Sequence, residues 1–279
     1  MDPRAVLRPV PLVDAADESV FGGKAASLAA SLRAGLPVPP GAALSTALVA
    51  AVAAGDAGAI DAVLTSPHLP RGAVAVRSSA VGEDSKTASF AGLHATRLNV
   101  DAAAIPAAVG EVWRSARTPL AMAYRARHAV AGEPSIAAVV QQLVRPVAAG
   151  VLFTRNPMTG ADERVINAAW GLGEAVVSGR VVPDVYRLDA QGRALEATAG
   201  DKDVEITGHD ASGAVEVPVD ASRRRALCLT PAHLQALHEL AVRCQRVAGP
   251  ALDIEWALAA DGSLFLLQAR PITAGRTRA

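Results

Sequence analysis

Leu252-Asp253-Ile254-Glu255-Trp256-Ala257-Leu258, then Ala259-Ala260-Asp261-Gly262, then Ser263-Leu264-Phe265-Leu266-Leu267-Gln268-Ala269-Arg270 reads as two strands around a four-residue turn that ends in Asp-Gly. That turn pairs Leu258 with Ser263, Trp256 with Phe265, Glu255 with Leu266 and Asp253 with Gln268. Side chains alternate between the faces of a strand. One face therefore carries Ile254, Trp256, Phe265 and Leu267, a core face. The other carries Asp253, Glu255, Gln268 and Arg270. Two carboxylates, an amide oxygen and a guanidinium suit a Mg2+–polyphosphate site. Mg2+ takes hard oxygen ligands from one or two carboxylates and leaves the remainder to phosphate and water, and Arg270 offers a planar fork to phosphate oxygens. The alternative is the polar outer face of an edge hairpin. Register decides between them, because a one-residue slip sends Gln268 and Arg270 to the opposite face.

Working outward from the hairpin, Thr230-Pro231 opens a helix with an N-cap hydroxyl and a proline at the first helical position. Leu234, Leu237, Leu240 and Cys244 form its apolar stripe, and Gly249-Pro250 ends it. Val185 to Val217 reads as several short strands. Val165 to Ala168 is a strand leading into Trp170-Gly171-Leu172-Gly173-Glu174, a tight turn followed by a carboxylate. It lacks the third glycine of a dinucleotide fingerprint. Ala137 to Val144 and Val151 to Thr154 read as strands of one hairpin. Ile105 to His128 is helical, interrupted at Pro119.

Ala73 to Val76 is a short buried strand with Arg77 just past its end, where ligand-facing groups of α/β folds commonly sit. A structural pairing of Arg77 with Glu83 or Asp84 is the alternative. Thr87 to Gly92 reads as a loop whose amides and hydroxyls, Ser89 among them, reach phosphates, or as an ordinary surface loop. Gly22-Gly23-Lys24 starts a helix, where backbone N–H groups and the dipole favour an anion. It is not a Walker A loop. A helix over Thr46 to Ala53 follows the connector Leu36 to Gly41.

The 279 residues are 51% hydrophobic but only 3% aromatic, so the expected core packs small side chains. Lys+Arg and Asp+Glu both number 27, and a zero net charge offers no global field for nucleic acid or an anionic membrane. No apolar run reaches the roughly 18 residues of a membrane span. The N-terminus shows no signal-peptide pattern. Cys228 and Cys244 have neither metal-ligand spacing nor enough partners for a disulfide framework. They read as free thiols in a reducing cytoplasm. The six histidines show no HExxH spacing and read as structural or exposed. No Gly-x-Ser-x-Gly elbow is present, which argues against a hydrolase.

Taken in order, Gly22-Gly23-Lys24 to Ser27-Leu28, Ala34 to Gly41, Ala75-Val76-Arg77-Ser78-Ser79, Ser89-Phe90-Ala91-Gly92 with Thr96, and Ala123-Tyr124-Arg125 resemble one family. Gly150 to Pro157, Gly171 to Glu174, Asp253-Ile254-Glu255-Trp256 and Gln268 to Thr273 continue the series. The family is the N-terminal ATP-binding domain of pyruvate phosphate dikinase, phosphoenolpyruvate synthase and rifampin phosphotransferase. The resemblance implies an α/β (α+β) fold of ATP-grasp type with mixed or antiparallel sheets. Two lobes, 1–138 and 139–279, are expected to close a nucleotide cleft on ATP and Mg2+. Lys24, Arg77 and Arg270 are implied as the catalytic phosphate contacts, and Glu255 and Gln268 as metal ligands with Asp253 beside them. Ser89 and Gly92 would belong to a loop over the phosphates. Arg125, Thr96 and Glu174 are implied as further nucleotide contacts. Backbone groups of Gln141-Gln142-Leu143-Val144 would meet the adenine edge.

Two departures stand out. Asn156 occupies a position where the family usually has aspartate, and Leu93 one where glutamine is usual. The phosphorylatable histidine domain and the substrate domain of the full enzymes are not in this sequence. The expected function is transfer of the ATP β-phosphate to a histidine on a separate protein or domain, releasing AMP, with an unspecified small-molecule final acceptor. A self-sufficient small-molecule kinase or ligase, yielding ADP, and a non-catalytic ATP-binding module are the alternatives.

Overall fold

The computed structural model describes residues 7–82, 84–85, 88–89, 95–127, 133–208 and 213–272, with backbone alone at 84–85 and 88–89. The chain forms two compact units, Met1–Arg33 with Pro39–Leu143, and Ala34–Val38 with Val144–Ala279. The division falls after Leu143 rather than after residue 138, because the strand Ile136–Gln142 is the middle of the first unit's sheet.

That sheet runs in the order Val10–Pro11, Gly41–Leu44, Ile136–Gln142, Val74–Ala80, Thr96–Val100, with every pairing antiparallel. Alternation gives it two different faces. Leu44, Val74, Val76, Ala138 and Val140 pack against the helices Thr46–Ala53, Ala57–Leu64 and Ile105–Ser115, burying Leu48, Val49, Val63, Val109 and Val112. The opposite face lies against the helix Glu18–Arg33. All seven residues of Val74–Ala80 are buried. Arg77 is therefore inside the strand, not beyond its end as its apolar run implied. The strand continues for as long as its partner Ile136–Gln142 supplies hydrogen bonds, whatever the polarity of its side chains.

The expected helix break at Pro119 is present, between Ile105–Ser115 and Pro119–Arg127. The helix expected to start at Gly22-Gly23-Lys24 instead spans Glu18–Arg33, broken at Gly22 (φ 76°, ψ 166°). Thr46–Ala53 and Ala57–Leu64 together are apolar enough for a membrane segment but are bent at 117°. Among the described residues no single helix is long and apolar enough to cross a membrane.

The second unit holds a six-stranded antiparallel sheet in the order Ala194–Thr198, Asp184–Leu188, Arg164–Trp170, Pro146–Phe153, Leu252–Ala259, Leu264–Pro271. Ile136–Gln142 and Pro146–Phe153 are thus not one hairpin. Each is committed to two neighbours in its own sheet, and Leu143–Arg145 is the passage between units. The helix Pro231–Ala248 packs on the closing hairpin with Leu234, Leu237, Leu240, Ala241 and Cys244 buried. Thr230 and His233 cap each other's backbone N–H groups at its start, a reciprocal arrangement that satisfies two otherwise orphan donors. Val204–Gly208 and Ala214–Pro218 form a separate two-stranded sheet.

One buried ion pair has no counterpart in the sequence reading. Asp184 and Lys202 are both fully buried and bonded to each other. Asp184 also accepts from the N–H groups of Gly200 and Cys228, each at 2.8 Å. The carboxylate thereby ties two loops to the strand Asp184–Leu188. Both cysteines are free and buried. Burial holds the Cys244 thiol up at about 12, and burial with the neighbouring Asp184 raises Cys228 as well.

Candidate functional site

In the first unit, the face under the helix Glu18–Arg33 gathers charge and polarity. Register puts Gln141 opposite Ala75, and Thr96 opposite Arg77. All four share a face, because paired residues point the same way. Arg77 and Gln141 are buried, and Arg77 Nη1 donates to Gln141 Oε1 at 3.4 Å. Gln141 Nε2 donates in turn to the Pro39 carbonyl at 3.3 Å. Lys24 is buried at 5% exposure on the covering helix. Thr96 is exposed at the sheet's edge strand.

The amides of Gln142 and Leu143 donate to the Pro40 and Ala73 carbonyls. An adenine edge along 141–144 would have to be met by other backbone groups, and Val144 already belongs to the second unit. Arg125 is carried by the helix Pro119–Arg127 and is half-buried. Ala88–Ser89 pairs with Asp84–Ser85. Gly92, Glu83 and Leu93 lie outside the described residues.

In the second unit, the closing hairpin departs from the expected register twice. Its turn is one residue shorter: the Ala259 N–H donates to the Ser263 carbonyl and the Gly262 N–H to the Ala259 carbonyl, with Gly262 at φ 84°. This is a three-residue hairpin loop with a left-handed glycine at its last position, a frequent arrangement. The slip pairs Trp256 with Leu266 and Ala257 with Phe265. Leu266 is consequently the fully buried partner of Trp256, with Ala269 opposite Ile254, whereas Phe265 and Leu267, expected in the core, are only half-buried.

Left alone, that slip would carry Gln268 and Arg270 to the core face. A β-bulge between Glu255 and Trp256 takes up Leu267 as an extra residue and restores the parity. Glu255 then faces Gln268, and Asp253 faces Arg270. The polar face expected from sequence therefore exists, with different partners. Arg270 Nε and Nη2 both donate to Asp253 Oδ2, at 2.9 and 2.7 Å. Asp253 and Gln268 are buried, Glu255 and Arg270 half-buried.

One residue on this face gains meaning only from the fold. Asn167 faces Val151, which faces Glu255 on its other side, so Asn167 points the same way. The Gly173 corner comes down on Ala149 of that face, 3.6 Å from where a Gly173 methyl would be, and the exposed Glu174, expected from sequence as a nucleotide contact, starts the four-residue helix Glu174–Val177 there, with Ala175 buried.

The substitution at Asn156 has a local explanation. Its Oδ1 accepts from the Met158 and Thr159 N–H groups at 2.9 and 3.1 Å, and its Nδ2 donates to the Glu163 carboxylate. Hydrogen bonds from Arg187 and then Asn156 hold Glu163 below its ordinary value. An aspartate at 156 would oppose that carboxylate instead of donating to it.

The donor set fits an oxygen-ligated cation. Glu255 and Gln268 oppose each other on neighbouring strands, while the charge of Asp253 is balanced by Arg270. Residues 57–279 match the family described as pyruvate phosphate dikinase, AMP/ATP-binding domain. The chain belongs to that family.

A rifampicin phosphotransferase from Streptomyces sviceus is 43% identical over 206 residues, which cover 73% of this chain and 24% of that protein. A probable phosphoenolpyruvate synthase from Methanothermobacter thermautotrophicus is 34% identical, covering 92% of this chain and 44% of that protein. The chain thus spans less than half the length of these relatives. A D-alanine–D-alanine ligase from Coxiella burnetii has 10% identity and a TM-score of 0.37, covering 91% of this chain and 47% of that one.

Proposed function

We propose that this chain binds Mg-ATP and delivers the ATP β-phosphate to a histidine on a separate protein or domain, releasing AMP. The observation that carries the reading is the bulge-restored face, where Glu255 meets Gln268 and Asp253 holds Arg270. Glu255 and Gln268 would hold the magnesium ion, which when bound neutralises polyphosphate charge and orders its oxygens. Lys24 and Arg77 would serve nucleotide phosphates, and Arg270 the phosphoryl group in transit. Backbone groups of Gln141-Gln142-Leu143-Val144 would meet the adenine edge, with Thr96, Arg125 and Glu174 as further nucleotide contacts and Ser89 and Gly92 over the phosphates.

Transfer to an imidazole nitrogen breaks the bond between the β-phosphorus and the α,β-bridging oxygen, and AMP leaves with that oxygen. The γ-phosphoryl group departs to water in a separate step. Such chemistry needs mainly alignment and fixed positive charge, which these side chains supply.

Nucleotide products decide the matter. AMP formed only when a histidine-bearing partner is added supports the reading, and Glu255→Ala should then abolish it. ADP formed together with a phosphorylated small molecule, by this chain alone, would point to a self-sufficient kinase. Unchanged turnover in Glu255→Ala would overturn the assignment of the hairpin face.

A further inference from the structure

The break in the helix Glu18–Arg33 is held open by a side chain from the sheet. An uninterrupted α-helix bonds each N–H to the carbonyl four residues earlier, so the Ala25 N–H would meet the Phe21 carbonyl. Instead the Ser79 hydroxyl stands between them. Its oxygen accepts from the Ala25 N–H at 3.0 Å and donates to the Phe21 carbonyl at 2.7 Å. Ser79 is fully buried, and insertion of a side chain into the helical ladder is a recognised cause of a sharp kink. Gly22 makes the approach feasible: its φ is 76°, and a Cβ there would lie 2.1 Å from the Ser79 carbonyl oxygen. Lys24 lies within the turn so interrupted. Two residues before Ser79, on the same face of the same strand, stands Arg77.

We infer that Ser79 is a positioning residue for Lys24, setting the spacing between the two cations proposed to receive the nucleotide phosphates. The inference rests on that functional reading. Without the hydroxyl, the Ala25 N–H and the Phe21 carbonyl are free to bond directly, which closes the turn and displaces Lys24.

The test is a double-mutant cycle on the affinity of the full chain for Mg-ATP, read by titration calorimetry for wild type, Ser79→Ala, Lys24→Ala and the double variant. Ser79→Ala is expected to weaken binding about tenfold, the scale of one buried hydrogen bond. In the Lys24→Ala background it should weaken binding no further, which a purely architectural role would not produce. Circular dichroism and thermal unfolding establish that each variant folds. If Ser79→Ala does not, Ser79→Cys keeps the volume with a poorer acceptor and takes its place. Wild-type affinity in the Ser79 variant, or an equal loss in both backgrounds, overturns the inference and leaves the functional reading standing. Wild-type affinity in Lys24→Ala removes the phosphate role of Lys24, and the positioning role with it.

Discussion

Single residues carry much of this molecule's specificity, and two of them yield sharp expectations. Lys202 and Asp184 are both fully buried and neutralise each other. Removing one partner strands a charge in the interior, which costs about 3–5 kcal/mol. Lys202→Met is therefore expected to lose about that much in a denaturant titration, and Lys202→Met with Asp184→Asn, which removes the charge but keeps an acceptor for the Gly200 and Cys228 N–H groups, to recover part of it. His238 packs its ring against Gly192. Burial, and then the nearby Arg164, lower its pKa below the ordinary histidine value. The unfolded chain takes up this proton at about pH 6.5, while the folded chain resists until lower pH. Stability is thus lost as pH falls below about 6.5. Comparing unfolding midpoints at pH 7.5 and 5.5, His238→Gln should show a smaller acid-side loss than wild type. The candidate residues Arg77, Glu255 and Gln268 were legible as types at suggestive places. Gln141 and Ser79 as side-chain participants were not. Following the alternation of Val74–Ala80 beyond its apolar portion would have set Arg77 and Ser79 on one face, but the end of a hydrophobic run looks like the end of a strand.

At the scale of elements, the closing hairpin shows why strand type is easier to read than pairing. Alternation and the Asp-Gly signal located both strands within a residue or two. The loop length and the bulge leave almost no mark in composition, yet each shifts register by one. Together they restore the facing at Glu255, while at Phe265 the turn's slip acts by itself, so the polar face was legible and the core partner was not. Deleting Leu267 removes only the extra residue and keeps Gln268 facing Glu255. Mg-ATP affinity is expected to stay within a few-fold of wild type. Inserting an alanine between Leu266 and Leu267 asks the ladder to absorb a second extra residue, and a slip then turns Gln268 and Arg270 toward the core. Calorimetric titration of both variants, with circular dichroism as the check on folding, should show binding lost only in the insertion.

For the whole molecule, the order of motifs was enough to reach the family and the α+β class, because motif order survives where individual contacts do not. The point of division between units was less visible. Leu143–Arg145 joins two apolar strands, and sequence alone offers a hairpin there as readily as a passage between sheets. A domain that binds Mg-ATP in its folded state alone is stabilised by mass action, about 2.7 kcal/mol at a free ligand concentration near 100 Kd. Thermal midpoints of the full chain should accordingly rise by about 5 to 10 °C in saturating Mg-ATP, and by much less with ATP and a chelator.

The second unit's claim on Ala34–Val38 has a consequence for the order of synthesis. Those five residues leave the ribosome more than a hundred residues ahead of the remainder of their unit. Their bonds to it come late: Gly35 offers its carbonyl to Arg243, and Pro37 to the Leu266 N–H on the final strand. Everything the first sheet requires has been translated once Leu143 emerges, so that unit can close while the connector waits. The second unit cannot finish its edge until nearly the last of the described residues has appeared, and at about 5–20 residues per second the delay is many seconds. A nascent chain stalled just after Leu143 should already protect the first sheet from protease, with 34–38 still open to cleavage.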